Sequence, residues 1–420
     1  MTVLIAGAGI AGLTLGLSLH QVGIPFHIYE AVEDIRPLGV GINLQSMATR
    51  ELFELGLEDA LDKVGLRTRE VGYFTAQGQE IWREPRGTYA GNTWPQYSIH
   101  RGGLQMALLD ALIARAGPEV LTMGAAVTGW REAEEGVQIA LTNRKSGKAG
   151  KANGSVLIAA DGINSVLRAG FYPDEGPAVW GGTMMWRGVT RGPKFLSGRS
   201  MAMVGTKACK FVCYPIADTE EGGSLINWIA DLVLPADYDW LSQDWNRPGK
   251  RSDFAHHFAD WSFDWIDIPK IIADADGIWE FPMVDRNPLP QWSFGPVTLL
   301  GDAAHAMYPI GSNGASQGIV DARILARELR NHGVGQGALQ AYDDMRREVV
   351  NAVVLANRTD GPDKILDIVA ECAPNGFDDI ETVMPLAERQ AFADRYKAVT
   401  GMTIEELNKR PAIIAVPQTN

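Results

Sequence analysis

Gly7, Gly9 and Gly12 form a GxGxxG run that directly follows four apolar residues, Val3 to Ala6, and directly precedes an Ala/Leu-rich stretch ending near His20. Residues of this type at this spacing can hold a diphosphate. Gly7 allows a tight turn, Gly9 lets backbone amides approach the ligand with no Cβ between them, and Gly12 lets the following helix pack closely on the strand. The positive end of that helix then faces the phosphates. A second apolar strand, Pro25 to Tyr29, ends on Glu30, eighteen residues past Gly12. There a carboxylate can accept hydrogen bonds from a ribose, and it favours a free 2′-hydroxyl over a 2′-phosphate. A glycine turn alone also occurs where nothing binds; strand, helix, second strand and terminal acid together point to a bound dinucleotide.

Two more bends follow apolar strands: Asp161-Gly162 after Gly154 to Ala159, and Gly301-Asp302 after Val297 to Leu300. A dinucleotide that carries a ribityl chain and a tricyclic ring needs contacts spread this widely. Other polar groups are open to two readings. Arg101 at a helix entrance is either a phosphate contact or a solvated arginine. Asp161 is either a cofactor contact or a turn residue securing the Arg101 region, and His305, just after Asp302, reads better as a packing residue than as one acting on substrate. No Ser/His/Asp or Cys/His arrangement is present, so no enzymic nucleophile and no catalytic residue is assigned.

These groups must be positioned by strands and helices in alternation. After Glu30, the glycine-containing loop from Asp34 to Leu44, with Pro37, is either mobile or close to a ligand. Helical patterns follow at Gln45 to Leu55, Gly56 to Val64 and Leu104 to Ala116, and a hairpin at Val71 to Thr75 and Glu80 to Glu84. From Gly181 to Met283 the pattern turns β-rich with hairpin spacing, which predicts an antiparallel sheet inserted in an α/β unit. Long helices are expected at 315–332 and 338–357. The tail beyond Gly361 is charged and reads as helical, with no chemistry assigned to it.

The 420 residues can bury a sizeable core, and the net charge of −13 gives a nucleic-acid partner no support. Three scattered cysteines, Cys209, Cys213 and Cys372, fit neither a disulfide framework nor a four-ligand metal site, so a reducing, cytoplasmic compartment is expected and no metal. Val3 to Leu19 lacks a basic leader and is explained as strand plus helix, so neither a targeting segment nor a membrane span is expected.

At these motifs the chain resembles the single-component FAD-dependent aromatic hydroxylases of the p-hydroxybenzoate hydroxylase type. The resemblance covers roughly residues 1 to 360. It rests on the N-terminal turn with Glu30, the motif Asp161, Gly162, Ser165, Arg168, and the motif Gly301, Asp302, His305, Pro309, Gly311, Gly314. Stretches such as RPLGVGINLQ and LLGDAAHAMYPIGSNGASQ look like the phenazine hydroxylases of that family. The fold implied is α/β: a three-layer Rossmann-like FAD-binding domain at 1–180 and 284–360, an inserted antiparallel substrate sheet at 181–283, and C-terminal helices at 361–420.

The resemblance also implies roles. Gly7, Gly9, Ala11, Gly12 and Glu30 hold the ADP half of FAD, with Val127 near the adenine. Arg101 and Gln105 meet the pyrophosphate and ribityl chain, and Asp302 meets the ribityl hydroxyls. Amides near Gly314 face the flavin ring, where negative charge gathers on reduction. Arg36, Gly41 and Ile42 line the loop along which the flavin moves. Trp186, Arg187, Tyr214, Trp228, Tyr308 and Pro309 are the candidate substrate walls. The implied reaction takes NAD(P)H and O2 and hydroxylates an electron-rich, phenazine-like aromatic through a flavin C4a-hydroperoxide, in a monomer or homodimer. No second dinucleotide fingerprint follows residue 30, so the reductant binds transiently. A flavin dehydrogenase or reductase of the same fold, and a non-catalytic FAD-binding protein, are the alternatives.

Overall fold

The computed structural model describes residues 1–36, 39–240, 247–359, 361–400 and 403–414; Pro37 and Leu38 of the expected loop, and parts of the expected tail, lie outside them. The run Val3–Ala6 is a fully buried strand and the helix Ile10–Gln21 starts after three intervening residues. Both belong to a six-stranded sheet unit whose order is Ser293–Phe294, Val297–Leu299, Val156–Ala159, Val3–Ala6, Phe26–Tyr29, Leu121–Thr122. All neighbours are parallel except the edge hairpin Ser293–Phe294 with Val297–Leu299.

Alternation along Val3–Ala6 assigns its two faces. Ile28, in register with Ile5, meets the helix at Gly16, where a Cβ would lie 3.0 Å from the Ile28 side chain. Leu4, one residue out of phase, meets Gly154 of a three-stranded sheet made of Ala126–Ala133, Gly136–Thr142 and Ala149–Gly154. The layers are therefore helices, central parallel sheet and small antiparallel sheet, with Ile10–Gln21 packed beside the long helix Gly314–His332.

The second large sheet has eight strands, in the order Arg247–Pro248, Ile278–Asp285, Val179–Gly192, Ser224–Val233, Cys209–Asp218, Ser200–Gly205, Glu70–Phe74, Glu80–Pro85. The inserted sheet expected at 181–283 is thus extended by an earlier hairpin, Glu70 to Pro85, which joins through the parallel pairing of Glu70–Phe74 with Ser200–Gly205. One face packs Trp186 and Trp228 onto Phe254 and Phe258. The other face turns toward the dinucleotide-type sheet and the C-terminal helices Lys364–Cys372 and Leu386–Thr400. Among the described residues no helix is long and apolar enough to cross a membrane.

Candidate active site

Three adjacent parallel strands bring the three sequence bends to one edge. Ala6 is in register with Ala159, and Ala159 with Leu299, so the chain leaves all three strands on the same side. Ligands of open α/β sheets bind at this carboxyl edge. Here it borders a cleft of about 340 Å3 lined by Gly9, Ala11, Gly41, Ile42, Arg101, Gly162, Asp302, Pro309 and Gly314 from this side, and by Arg187 and Tyr214 from the eight-stranded sheet.

The glycine turn has the steric signature of a cradle. A Cβ on Gly7, whose φ is +105°, would lie 2.5 Å from the carbonyl oxygen of Ala160, and one on Gly12 would collide with the carbonyl of Gly7. Gly9 is the opposite: a Cβ there meets nothing within 4 Å, because it would stand in the cleft. No side chain caps the helix that starts at Ile10, and none caps the helix that starts at Gly314, so both helix ends keep amides free for a ligand. Glu30 stands across the turn: its carboxylate accepts from the Ala8 amide at 2.7 Å and from the Val32 amide at 3.0 Å. Gln105 donates to the Ala8 carbonyl at 2.9 Å. Val127 is buried two residues past Ala125, whose amide donates to the Glu30 carbonyl at 2.7 Å. These groups fit a dinucleotide with a free 2′-hydroxyl.

The other two bends serve differently. Asp302 opens the short helix Asp302–His305 and is exposed to the cleft. Asp161 instead accepts from the Val166 amide at 3.0 Å and so holds the start of the helix Val166–Phe171, while burial raises the pKa of its carboxyl. Arg168 on that helix donates to the carbonyls of Ala303 and Ala304 at 3.1 and 2.8 Å, which ties the second bend to the third. His305 is buried on Asp321 at 2.5 Å beside Trp292, as a packing residue. Arg36 is exposed and paired with Asp34 at 3.0 Å.

Gly41 is clamped by the opposing sheet. Asn227 Oδ1 accepts from its amide at 2.6 Å, while Tyr214 and Arg187 donate to its carbonyl at 2.7 and 2.9 Å. A Cβ on Gly41 would lie 2.8 Å from both Asn227 and Tyr214, so only glycine allows the clamp. Burial lowers the pKa of Arg187 and pushes that of Tyr214 up to about 12.

Flat aromatic walls are not what the sheet presents. Trp186 and Trp228 alternate with Arg187 and Ile229 and therefore face the opposite core. Tyr308 is buried behind the cleft on Met185 and Met283, with its hydroxyl 3.4 Å from the Val179 carbonyl. The wall is built from Met185, Met201, Met203 and Met283. Thioethers are polarisable and adaptable, and they make favourable contacts with aromatic rings. Sequence reasoning also missed a polar trio beside them, the buried Lys210 and Asp231 with the partly buried Asp363, and the tyrosine behind the Gly311 loop, Tyr396. Period-2 alternation in Cys209–Asp218 and Ser224–Val233 carried a signal for the first two, but only a known register shows which face is the cleft.

A family model described as an FAD binding domain matches residues 1–357. The phenazine 1,6-dicarboxylic acid hydroxylase PhzS of Lysobacter antibioticus is 42% identical over 85% of this chain and 89% of its own. The aurachin C monooxygenase/isomerase of Stigmatella aurantiaca is 31% identical over 84% and 87%. Among solved structures, Klebsiella pneumoniae HpxO complexed with FAD and uric acid aligns with a TM-score of 0.73 at 24% identity, covering 97% of this chain and 96% of that one. A salicylate hydroxylase substrate complex aligns at 0.72 and 22%, covering 99% of each. The chain belongs to the family of FAD binding domains, and within it to the FAD-dependent aromatic hydroxylases.

Proposed function

We propose that the protein is a monooxygenase that uses FAD, NAD(P)H and O2 to hydroxylate a phenazine-like aromatic substrate. The observation that carries this reading is the shared cleft: strand ends suited to a dinucleotide on one side, and a sheet face of four methionines with a partly buried arginine on the other. The relative at 42% identity is named for a phenazine dicarboxylic acid, which supports a flat, carboxylated substrate.

FAD, when bound, supplies the activation of dioxygen. The chain supplies the rest. Gly9, Ala11, Glu30, Gln105 and Arg101 hold the ADP and pyrophosphate part, Asp302 the ribityl chain, and the amides at Gly314 the edge of the ring that gains negative charge. The methionine wall positions the substrate and keeps water out, which protects reactive oxygen from being lost unproductively. Arg187 is the cation placed to meet a ring carboxylate. In this reading residues 1–180 and 284–360, apart from the hairpin Glu70 to Pro85, form the cofactor part, and the eight-stranded sheet, which includes that hairpin, forms the substrate part.

The test is oxygen labelling. Turnover of a carboxylated phenazine under ¹⁸O2 is expected to give a product carrying one ¹⁸O atom. A product with oxygen from water, or oxidation of the reductant with no oxygenated product, contradicts the proposal.

A further inference from the structure

At one end of the methionine wall the sheet changes chemistry. Met185, Asp231 and Lys210 are in register across three neighbouring strands, and all three line the cleft. Asp363, just before the helix Lys364–Cys372, reaches the same place from the C-terminal part of the chain. Lys210 Nζ lies 2.5 Å from Asp363 Oδ2 and 3.4 Å from Asp231 Oδ2. The close pair is therefore Lys210 with Asp363. Asp231 is left with one long contact, its Oδ1 has no hydrogen-bond partner, and its residue is only 4% exposed.

A buried carboxylate with unused acceptor positions is costly unless a donor reaches it. The cleft is where such a donor can arrive. Burial raises the pKa of Asp231 and the neighbouring Asp363 carboxylate adds to this, while Lys210 and the Arg187 guanidinium act in the opposite direction. Asp363 stays ionised against the same burial because Lys210 holds its pKa down.

We propose that Asp231 is a specificity-determining residue of the substrate cleft, accepting a hydrogen bond from a ring O–H or N–H of the aromatic substrate, with the Lys210–Asp363 pair holding it in position. This rests on the reading of the cleft as an aromatic substrate site and adds a requirement to it: a donor group on the ring, distinct from any carboxylate met by Arg187. A donor engaged by a carboxylate also passes electron density into its ring, which suits a carbon that is to be hydroxylated. A purely structural Asp231 would do none of this; it would only complete the ion pairs.

The experiment is equilibrium binding to the flavin-loaded protein, read from the perturbed flavin absorbance, with 2-hydroxyphenazine and 2-methoxyphenazine as probes. The wild-type protein is expected to bind the hydroxy compound about 10- to 100-fold more tightly, the range of one hydrogen bond to a charged group. Asp231→Asn leaves Lys210 paired with Asp363 and is expected to reduce that preference to a few-fold or less, with flavin content unchanged. Equal binding of both probes by the wild-type protein overturns the proposal whatever the variant does. So does a preference that survives in a flavin-loaded Asp231→Asn. If neither phenazine binds, the phenazine reading fails separately, and the pair 3-hydroxybenzoate and 3-methoxybenzoate is judged by the same criterion; no donor preference in either pair overturns the inference.

Discussion

A side chain added at Gly9 and one added at Gly12 would meet opposite surroundings. At Gly9 the backbone is extended, with φ −71°, and the space ahead is the cleft, so Gly9→Val is expected to fold with an unchanged melting temperature in the flavin-free state yet to purify without flavin. At Gly12 the new Cβ collides with the Gly7 carbonyl, so Gly12→Ala is expected to lose about 1–3 kcal/mol of stability before any ligand is considered. Equal thermal stability of the two variants would contradict this division of labour. Tyr214 gives a pH prediction. Burial holds its pKa up at about 12, above the value of ~10 in an unfolded chain. The stability tied to its protonated form is thus complete below pH ~10 and is lost as the pH rises toward 12. Tyr214→Phe, which has no ionisable group, should show a shallower decline in melting temperature over that interval; an identical slope would refute the assignment. The glycine turn was legible in the sequence because residue type and spacing alone define it. Trp186 was not, because it sits one residue from Arg187, and a one-residue offset in a strand moves a side chain to the other face.

At the scale of elements, strand and helix positions followed from apolar patterning, while partners in space did not. Nothing local in Glu70 to Pro85 reveals that it joins a sheet made mostly of residues more than a hundred positions later. The C-terminal helix Leu386–Thr400 is the sharper case. Its charged sequence suggested no chemistry, yet Tyr396 accepts from Asn313 Nδ2 at 2.8 Å, donates to Asn357 Oδ1 at 2.8 Å, and packs on Gly311. Gln45 braces the same loop by donating to the Gly311 carbonyl at 2.9 Å. Gly311 and Ser312 both have positive φ, +69° and +58°, so the loop leading into the helix at Gly314 is held in a conformation that needs support. Tyr396→Phe removes the hydroxyl and is expected to cost about 1 kcal/mol and to weaken flavin retention severalfold in equilibrium dialysis. Retention equal to the wild type would mean that the C-terminal helix only covers the core.

At the scale of the whole molecule, two of its sheets face one cleft, and the proposed function depends on both. The parallel sheet accounts for a bound dinucleotide whatever the reaction; the antiparallel sheet, with its methionines, Arg187 and Asp231, accounts for why an aromatic substrate would be placed against it. A reductase of the same fold would use the first and consume no oxygen. The most direct measurement is therefore the stoichiometry of turnover by the flavin-loaded protein, with oxygen uptake, NADH or NADPH oxidation and product followed together in the presence of a carboxylated phenazine. The account predicts that the substrate accelerates oxidation of the reductant, and that one oxygen molecule and one reductant are consumed per hydroxylated product. Oxidation of the reductant that ignores the substrate, or that returns all of the oxygen as hydrogen peroxide, would contradict it.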